Sequence, residues 1–149
     1  MKDISVRYAS PEDAEACQAF NQQMGCPDNL VDKIKRQEII IATLPAEIAG
    51  YMRMEMLWNA IPFISWIYIQ EEYRGQGIGA ALLRFIEMEL GAPRYKNPQW
   101  LLSSSKTTNT RSIEWHKRRD FVPCGYWEGT HTDGSNEVFF KKSLQVENG

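Results

Sequence analysis

The stretch Arg74-Gly75-Gln76-Gly77-Ile78-Gly79 limits the fold more than any other part of the chain. It lies between the apolar, aromatic-rich run PFISWIYIQ and the run AALLRFIEMEL. Glycine loses more backbone freedom on folding than other residues, so three within residues 75–79 are a poor use of helix or strand. Downstream, Ile78, Leu82, Phe85, Ile86 and Leu90 recur at helical spacing, with Arg84, Glu87 and Glu89 interleaved. The glycines therefore link a strand to an amphipathic helix that ends at Gly91-Ala92-Pro93. Such a junction gathers unpaired N–H groups and the positive end of the helix dipole, a combination that binds anions and phosphates in particular. Glycine lets phosphate oxygens approach the amides and supplies positive φ where the turn needs it.

The other elements follow from periodicity and punctuation. Residues 4–8 alternate as a strand, and Ser10-Pro11-Glu12-Asp13 reads as a helix entrance with Ser10 as N-cap. That helix extends to about Met24, and a short second helix spans 29–36. Residues 38–43, 48–57 and 63–69 read as three strands with short links, which implies antiparallel pairing. A strand from Trp100, a helix over 110–119, a strand over 122–127 and a last strand over 138–142 complete the order. This order is β-α-α-β-β-β-α-β-α-β-β, a single mixed α/β (α+β) domain. With 149 residues, 43% apolar and 24% charged, the chain suits one soluble globular domain over 1–149.

Several function classes drop out. Formal net charge is -2, and Lys117-Arg118-Arg119 is the only tight basic cluster, so no nucleic-acid partner is expected. Cys17, Cys26 and Cys124 lack CxxC spacing and only two histidines occur, so neither a disulfide framework nor a metal site is expected. The opening MKDISVRYASPEDAEAC carries no apolar signal segment and no run approaches membrane-spanning length, so a cytoplasmic protein without a membrane partner is the expectation. A Walker A loop needs Gly-Lys-Ser/Thr, which is absent. Gly75, Gly77 and Ala80 formally meet the dinucleotide pattern G-x-G-x-x-G/A, but the polar Gln70-Glu71-Glu72-Tyr73-Arg74 intervenes after the strand. No acid closes the following strand either, which ends in Ser103-Ser104-Ser105-Lys106.

A third pattern, R/Q-x-x-G-x-G/A, is met by Arg74, Gly77 and Gly79. Here the sequence resembles the GNAT family of acyl-CoA-dependent N-acetyltransferases. Upstream, residues 67–75 look like that family's strand and pyrophosphate loop. Downstream, Asn109, Ser112, Trp115, His116, Asp120 and Phe121 fall on its N-x-x-A-x-x-L-Y-x-x-x-G-F. The resemblance covers nearly the whole chain and implies a mixed, mostly antiparallel central sheet of about seven strands flanked by about four helices.

It also implies roles for individual residues. The backbone N–H groups of Gly75, Gln76, Gly77, Ile78, Gly79 and Ala80 would hold the pyrophosphate of the co-substrate acetyl-CoA, with Arg74 lending charge. The strand at Ile67, Tyr68 and Ile69 would pair with the pantetheine arm, and an N–H near Ile69 would face the thioester oxygen. Asn109 would hydrogen-bond the pantetheine. The implied reaction is direct attack of a neutral amine on the thioester, with no metal and no covalent enzyme intermediate.

The sequence departs from the family pattern at two functions. His116 stands at the position of the tyrosine acid, as a candidate proton donor or sulfur ligand, or as a half-exposed helix residue beside Trp115. Phe63, Ser65 and Ser104 occupy positions where family members carry a base, and none can take a proton at neutral pH; Glu55 is the weak remaining candidate, through water. Asp120 replaces a glycine and tolerates left-handed backbone.

By the resemblance the acceptor pocket is walled by residues 24–28, Trp58, Trp66, Tyr68 and residues 127–133, which suit a small-molecule or peptide amine; core and hairpin packing is the competing role for these aromatics. Three readings stay open: an N-acetyltransferase, a catalytically silent acyl-CoA-binding regulatory module, and a nicotinamide-dependent oxidoreductase. Dimers are common among similar proteins, and Val138-Phe139-Phe140 is read as a candidate edge strand for a homodimer.

Overall fold

The computed structural model describes residues 3 to 25 and 29 to 144. Its elements are β1 (Ser5–Tyr8), α1 (Ala14–Gln23), α2 (Leu30–Lys35), β2 (Ile39–Leu44), β3 (Glu47–Leu57), β4 (Ile61–Ile69), α3 (Ile78–Glu89), β5 (Trp100–Lys106), α4 (Thr110–Arg118), β6 (Val122–Trp127) and β7 (Glu137–Ser143). This is the order expected from the sequence. The seven strands hydrogen-bond in the order β1-β2-β3-β4-β5-β7-β6. β4 and β5 run parallel, whereas β1 with β2, β2 with β3, β5 with β7 and β6 with β7 are antiparallel. The expected mixed, mostly antiparallel sheet is thus observed.

One expectation is corrected. β7 is not an edge strand, because it lies between β5 and β6, and the edges are β1 and β6. Its alternation has an interior cause: Val138 and Phe140 are 3% and 0% exposed, the burial of a strand paired on both sides.

The chain forms two compact units, one through residue 54 plus Trp66–Glu89, the other Glu55–Ser65 plus the residues from Leu90 onward. In the first, Ile39, Ile40, Ile41 and Ala42 of β2 are all fully buried. A strand apolar on both faces must be covered on both. Ile39 and Ile41 join Cys17, Leu30, Ile34, Ile48 and Tyr51 in one cluster, with Phe20 stacked on Tyr51 at 5.3 Å. α3 packs on β1 and β2 and buries Ile78, Leu82, Leu83 and Ile86. The entrance to α1 forms as expected, with the Ser10 N–H donating to the Asp13 carboxylate at 2.7 Å.

In the second unit, β5 alternates so that Leu101, Ser103 and Ser105 face inward. Buried hydroxyls on a strand need partners. Two residues past α4, Asp120 has φ of 67°, the left-handed conformation that Asp is expected to tolerate there.

Candidate active site

The glycine turn is open. Gly75 and Gly77 have φ of 76° and 83°, and a Cβ built on either would meet nothing within 4 Å. Here glycine serves the left-handed backbone, not tight packing. Among the described residues, the amides of Gly75, Gln76, Gly77, Ile78, Gly79 and Ala80 donate to no protein group; Ala81 is the first to do so, to the Gly77 carbonyl at 3.0 Å. Consecutive unpaired N–H groups at a helix start form an anion cradle.

This cradle is anchored by Arg74 of the motif and by residues that the motif does not specify. The Gln70 N–H donates to the Ala49 carbonyl at 2.9 Å, and Gln70 Nε2 donates to the Ile48 carbonyl at 2.5 Å. Tyr73 Oη donates to Glu47. Gly50 lies directly beneath the start of α3, where an added Cβ would stand 2.9 Å from Ile78 Cγ2 and 3.0 Å from Ile69 Cδ1. Arg74 Nε donates to the Ile69 carbonyl at 2.9 Å, and its guanidinium lies over the Tyr68 ring, 5.4 Å from the centroid. Arg74 thus ties the turn back to the end of β4 while keeping its charge beside the amides. Ile67, Tyr68 and Ile69 are half-buried on β4, and the β4–β5 ladder is confined to Phe63 with Leu102 and Ile64 with Ser103.

The second motif is placed differently. Asn109 caps α4, its Oδ1 accepting from the Ser112 N–H at 3.1 Å. Its NH₂ keeps its donors free among the described residues. His116 is 1% exposed, so the half-exposed position that one of its two readings gave it is not observed. Its Nδ1 lies 2.7 Å from the Ser112 carbonyl, which only accepts, so Nδ1 carries the proton. Nε2 is therefore the acceptor for the Ser103 hydroxyl at 2.7 Å. The ring stacks on Phe140 at 4.6 Å and meets Phe121 edge-on at 5.2 Å. Burial pushes its pKa below the ordinary histidine value, against the opposing pull of the Ser112 carbonyl and the Glu137 charge. This neutral imidazole has both nitrogens in use.

Glu55, half-buried on β3, accepts from Ser65 Oγ at 3.3 Å. Trp58, Trp66 and Trp127 are 87%, 40% and 61% exposed, so these indoles do not fill the core. Of residues 24–28, Cys26, Pro27 and Asp28 lie outside the described residues. Among the described residues, no group of three or more His, Cys, Asp or Glu could hold a metal, and no helix is long and apolar enough to cross a membrane.

Sequence reasoning missed a polar cluster on β5 and the β6–β7 hairpin. Glu137 accepts from Ser104 Oγ at 2.7 Å and from His131 Nε2 at 2.7 Å. No local spacing joins Ser104 and His131 to a glutamate at the start of a later strand.

A turn of this kind between a strand and a helix, within this sheet, is the arrangement of the GNAT fold class. The sequence matches the acetyltransferase (GNAT) family over residues 8–121, and the chain belongs to that family. No curated protein matches it. Among solved structures it is similar to Ard1 from Thermoplasma volcanium, with a TM-score of 0.80 and 19% identity over 96% of this chain and 99% of that one. The ribosomal-protein-S18-alanine N-acetyltransferase from Escherichia coli gives 0.74 and 17% over 98% of each chain. The putative acetyltransferase yncA from Salmonella typhimurium, solved with its cofactor acetyl-CoA, gives 0.73 and 13% over 98% and 96%.

Proposed function

We propose that the protein is an acetyl-CoA-dependent N-acetyltransferase acting as one domain on a primary amine of a small molecule or peptide. The observation that carries this reading is the unbroken set of unpaired amides from Gly75 to Ala80, with Gly75 and Gly77 at positive φ. Those amides and Arg74 would hold the pyrophosphate, and Asn109 offers its NH₂ to the pantetheine. Along a strand, N–H groups alternate between the two edges. Because the Gln70 N–H is committed to Ala49, those of Ile67 and Ile69 point to the opposite edge, where one can face a thioester oxygen.

Acetyl-CoA supplies an activated acyl group, and the protein supplies position, an oxyanion donor and a path for the proton. The neutral amine attacks the thioester carbon; the C–N bond forms, the C–S bond breaks, and the thiolate leaves with a proton. In this reading His116 fixes α4 to β5 through Ser103 and does not donate that proton. Glu55, held by Ser65, remains a weak base candidate acting through water. The free thiols of Cys17 and Cys124 suit a cytoplasmic setting.

A second reading, an acyl-CoA-binding regulatory module without turnover, is favoured by one observation: the ring at the acid position has no free nitrogen. Calorimetry with acetyl-CoA, CoA and NAD, paired with thiol-release assays on an amine panel, separates the two. Micromolar acetyl-CoA binding with thiol release supports the enzyme; binding without release supports the module; binding of NAD alone sinks both.

A further inference from the structure

Arg74 is held on two sides. Its Nε donates to the Ile69 carbonyl at 2.9 Å, and its guanidinium carbon lies 5.4 Å from the centroid of the Tyr68 ring. Tyr68 in turn meets Phe20 of α1 edge-on at 6.1 Å, and Phe20 stacks on Tyr51 at 5.3 Å with the ring planes 3° apart. Tyr51, on β3, is fully buried. These four side chains form a ladder from the core of the first unit to the start of the glycine turn, and residues 75–80 belong to that same unit.

A guanidinium carries five N–H donors in a planar fork. The Ile69 carbonyl takes the one on Nε, and those of the two terminal nitrogens have no partner among the described residues. A single tether leaves the plane free to turn about the side-chain bonds. A ring face beneath the cation opposes that turning, because the attraction is to the π face. Phe20 and Tyr51 hold the ring in its turn, through aromatic contacts that favour particular geometries. A fixed plane with an open two-nitrogen edge matches a pair of phosphate oxygens, which a mobile ammonium would meet only as a point charge. Arg74 directly precedes the unpaired amides of residues 75–80.

We propose that Tyr68, backed by Phe20, is a positioning residue whose ring face orients the Arg74 guanidinium, so that its two terminal nitrogens grip the diphosphate of the coenzyme together with the amides of residues 75–80. This rests on the acetyltransferase reading. The ring of Tyr68 carries the role and its hydroxyl does not. Through Phe20, α1 also contributes to coenzyme affinity.

The test reads side-chain order and affinity on the full chain. Without ligand, ¹⁵N relaxation of the Arg74 Nε–H should show an ordered side chain in the wild type and in Tyr68→Phe, which keeps the ring, and a mobile one in Tyr68→Leu. Calorimetry with CoA should find Tyr68→Leu about fivefold weaker than the wild type, and Tyr68→Phe within about twofold of it. Arg74→Lys keeps the charge without the fork and should also lose about fivefold. Added to Arg74→Gln, Tyr68→Leu should cost no further affinity, because it acts through Arg74. A mobile Arg74 in the wild type, equal affinity in the wild type and Tyr68→Leu, full affinity in Arg74→Lys, or additive losses in the double variant would each overturn the proposal. Should Tyr68→Leu fail to fold, the wild-type relaxation and Arg74→Lys still decide. A wild type that binds no CoA overturns the acetyltransferase reading itself, an outcome separate from all of these.

Discussion

The turn at Gly75–Ala80 and the helix at Asn109–Phe121 both match family motifs, yet the structure treats them in opposite ways. In the turn the backbone N–H groups are kept for a ligand, while anchoring bonds come from Gln70, Tyr73 and Arg74 and from the Gln76 side chain to the Glu72 carbonyl. In the helix the central polar group is consumed by the protein, since His116 is sealed between Ser103, the Ser112 carbonyl and Phe140. A motif fixes where a side chain falls along the chain. Whether its hydrogen-bonding capacity is free depends on what packs around it, and that differs between these regions.

The comparison can be broken most sharply at Gly77. A β-branched residue at φ of 83° costs about 1–3 kcal/mol in backbone strain or forces the turn to refold. Gly77→Val should therefore weaken acetyl-CoA binding by roughly 10- to 100-fold, read by calorimetry, because a turn that relieves the strain by refolding no longer presents its amides together. An unchanged affinity would mean that the open amides are not the grip.

At the closed region the pattern should reverse. His116→Phe strands the buried Ser103 hydroxyl, at about 1–3 kcal/mol of stability, with acetyl-CoA affinity preserved. The unfolded imidazole titrates near 6.5, and burial lowers the folded value. The unfolded chain thus binds the proton more readily, and the stability gained from the neutral ring is lost as pH falls from about 6.5 through the folded value. Melting temperatures between pH 7.5 and 5.5 should fall in the wild type, and His116→Phe should lack that contribution. A turnover loss far beyond the stability loss would return His116 to the chemistry.

Arg74→Gln sharpens the first half of the comparison. Removing the guanidinium and its bond to the Ile69 carbonyl should weaken acetyl-CoA binding about tenfold, with less salt dependence than the wild type. The smallest effect is expected at Asp120→Gly, where relief of a left-handed non-glycine residue, with φ of 67°, should stabilise by roughly 0.5–1 kcal/mol or leave stability unchanged. Denaturant midpoints would detect it.

Much of this is legible in the sequence. Element order, the helix entrance at Ser10, the positive φ within the glycine run and the left-handed Asp120 all follow from local chemistry, because each depends on residues a few positions apart. The position of β7 between β5 and β6 does not, since strand order is set by pairing across the sheet. Ser103 and Ser105 read as a polar strand end, and only packing reveals that they face inward and that one of them captures His116. The Ser104–Glu137–His131 cluster was hidden for the same reason, as its members come from two strands and a hairpin.

Because Gln70, Tyr73 and Gly50 fix the glycine turn to the β2–β3 hairpin through protein contacts, its conformational entropy is surrendered during folding. Association of a nucleotide-bearing thioester would then carry little ordering penalty at this spot. Discrimination between one acyl group and another would fall to parts of the protein that the diphosphate never touches.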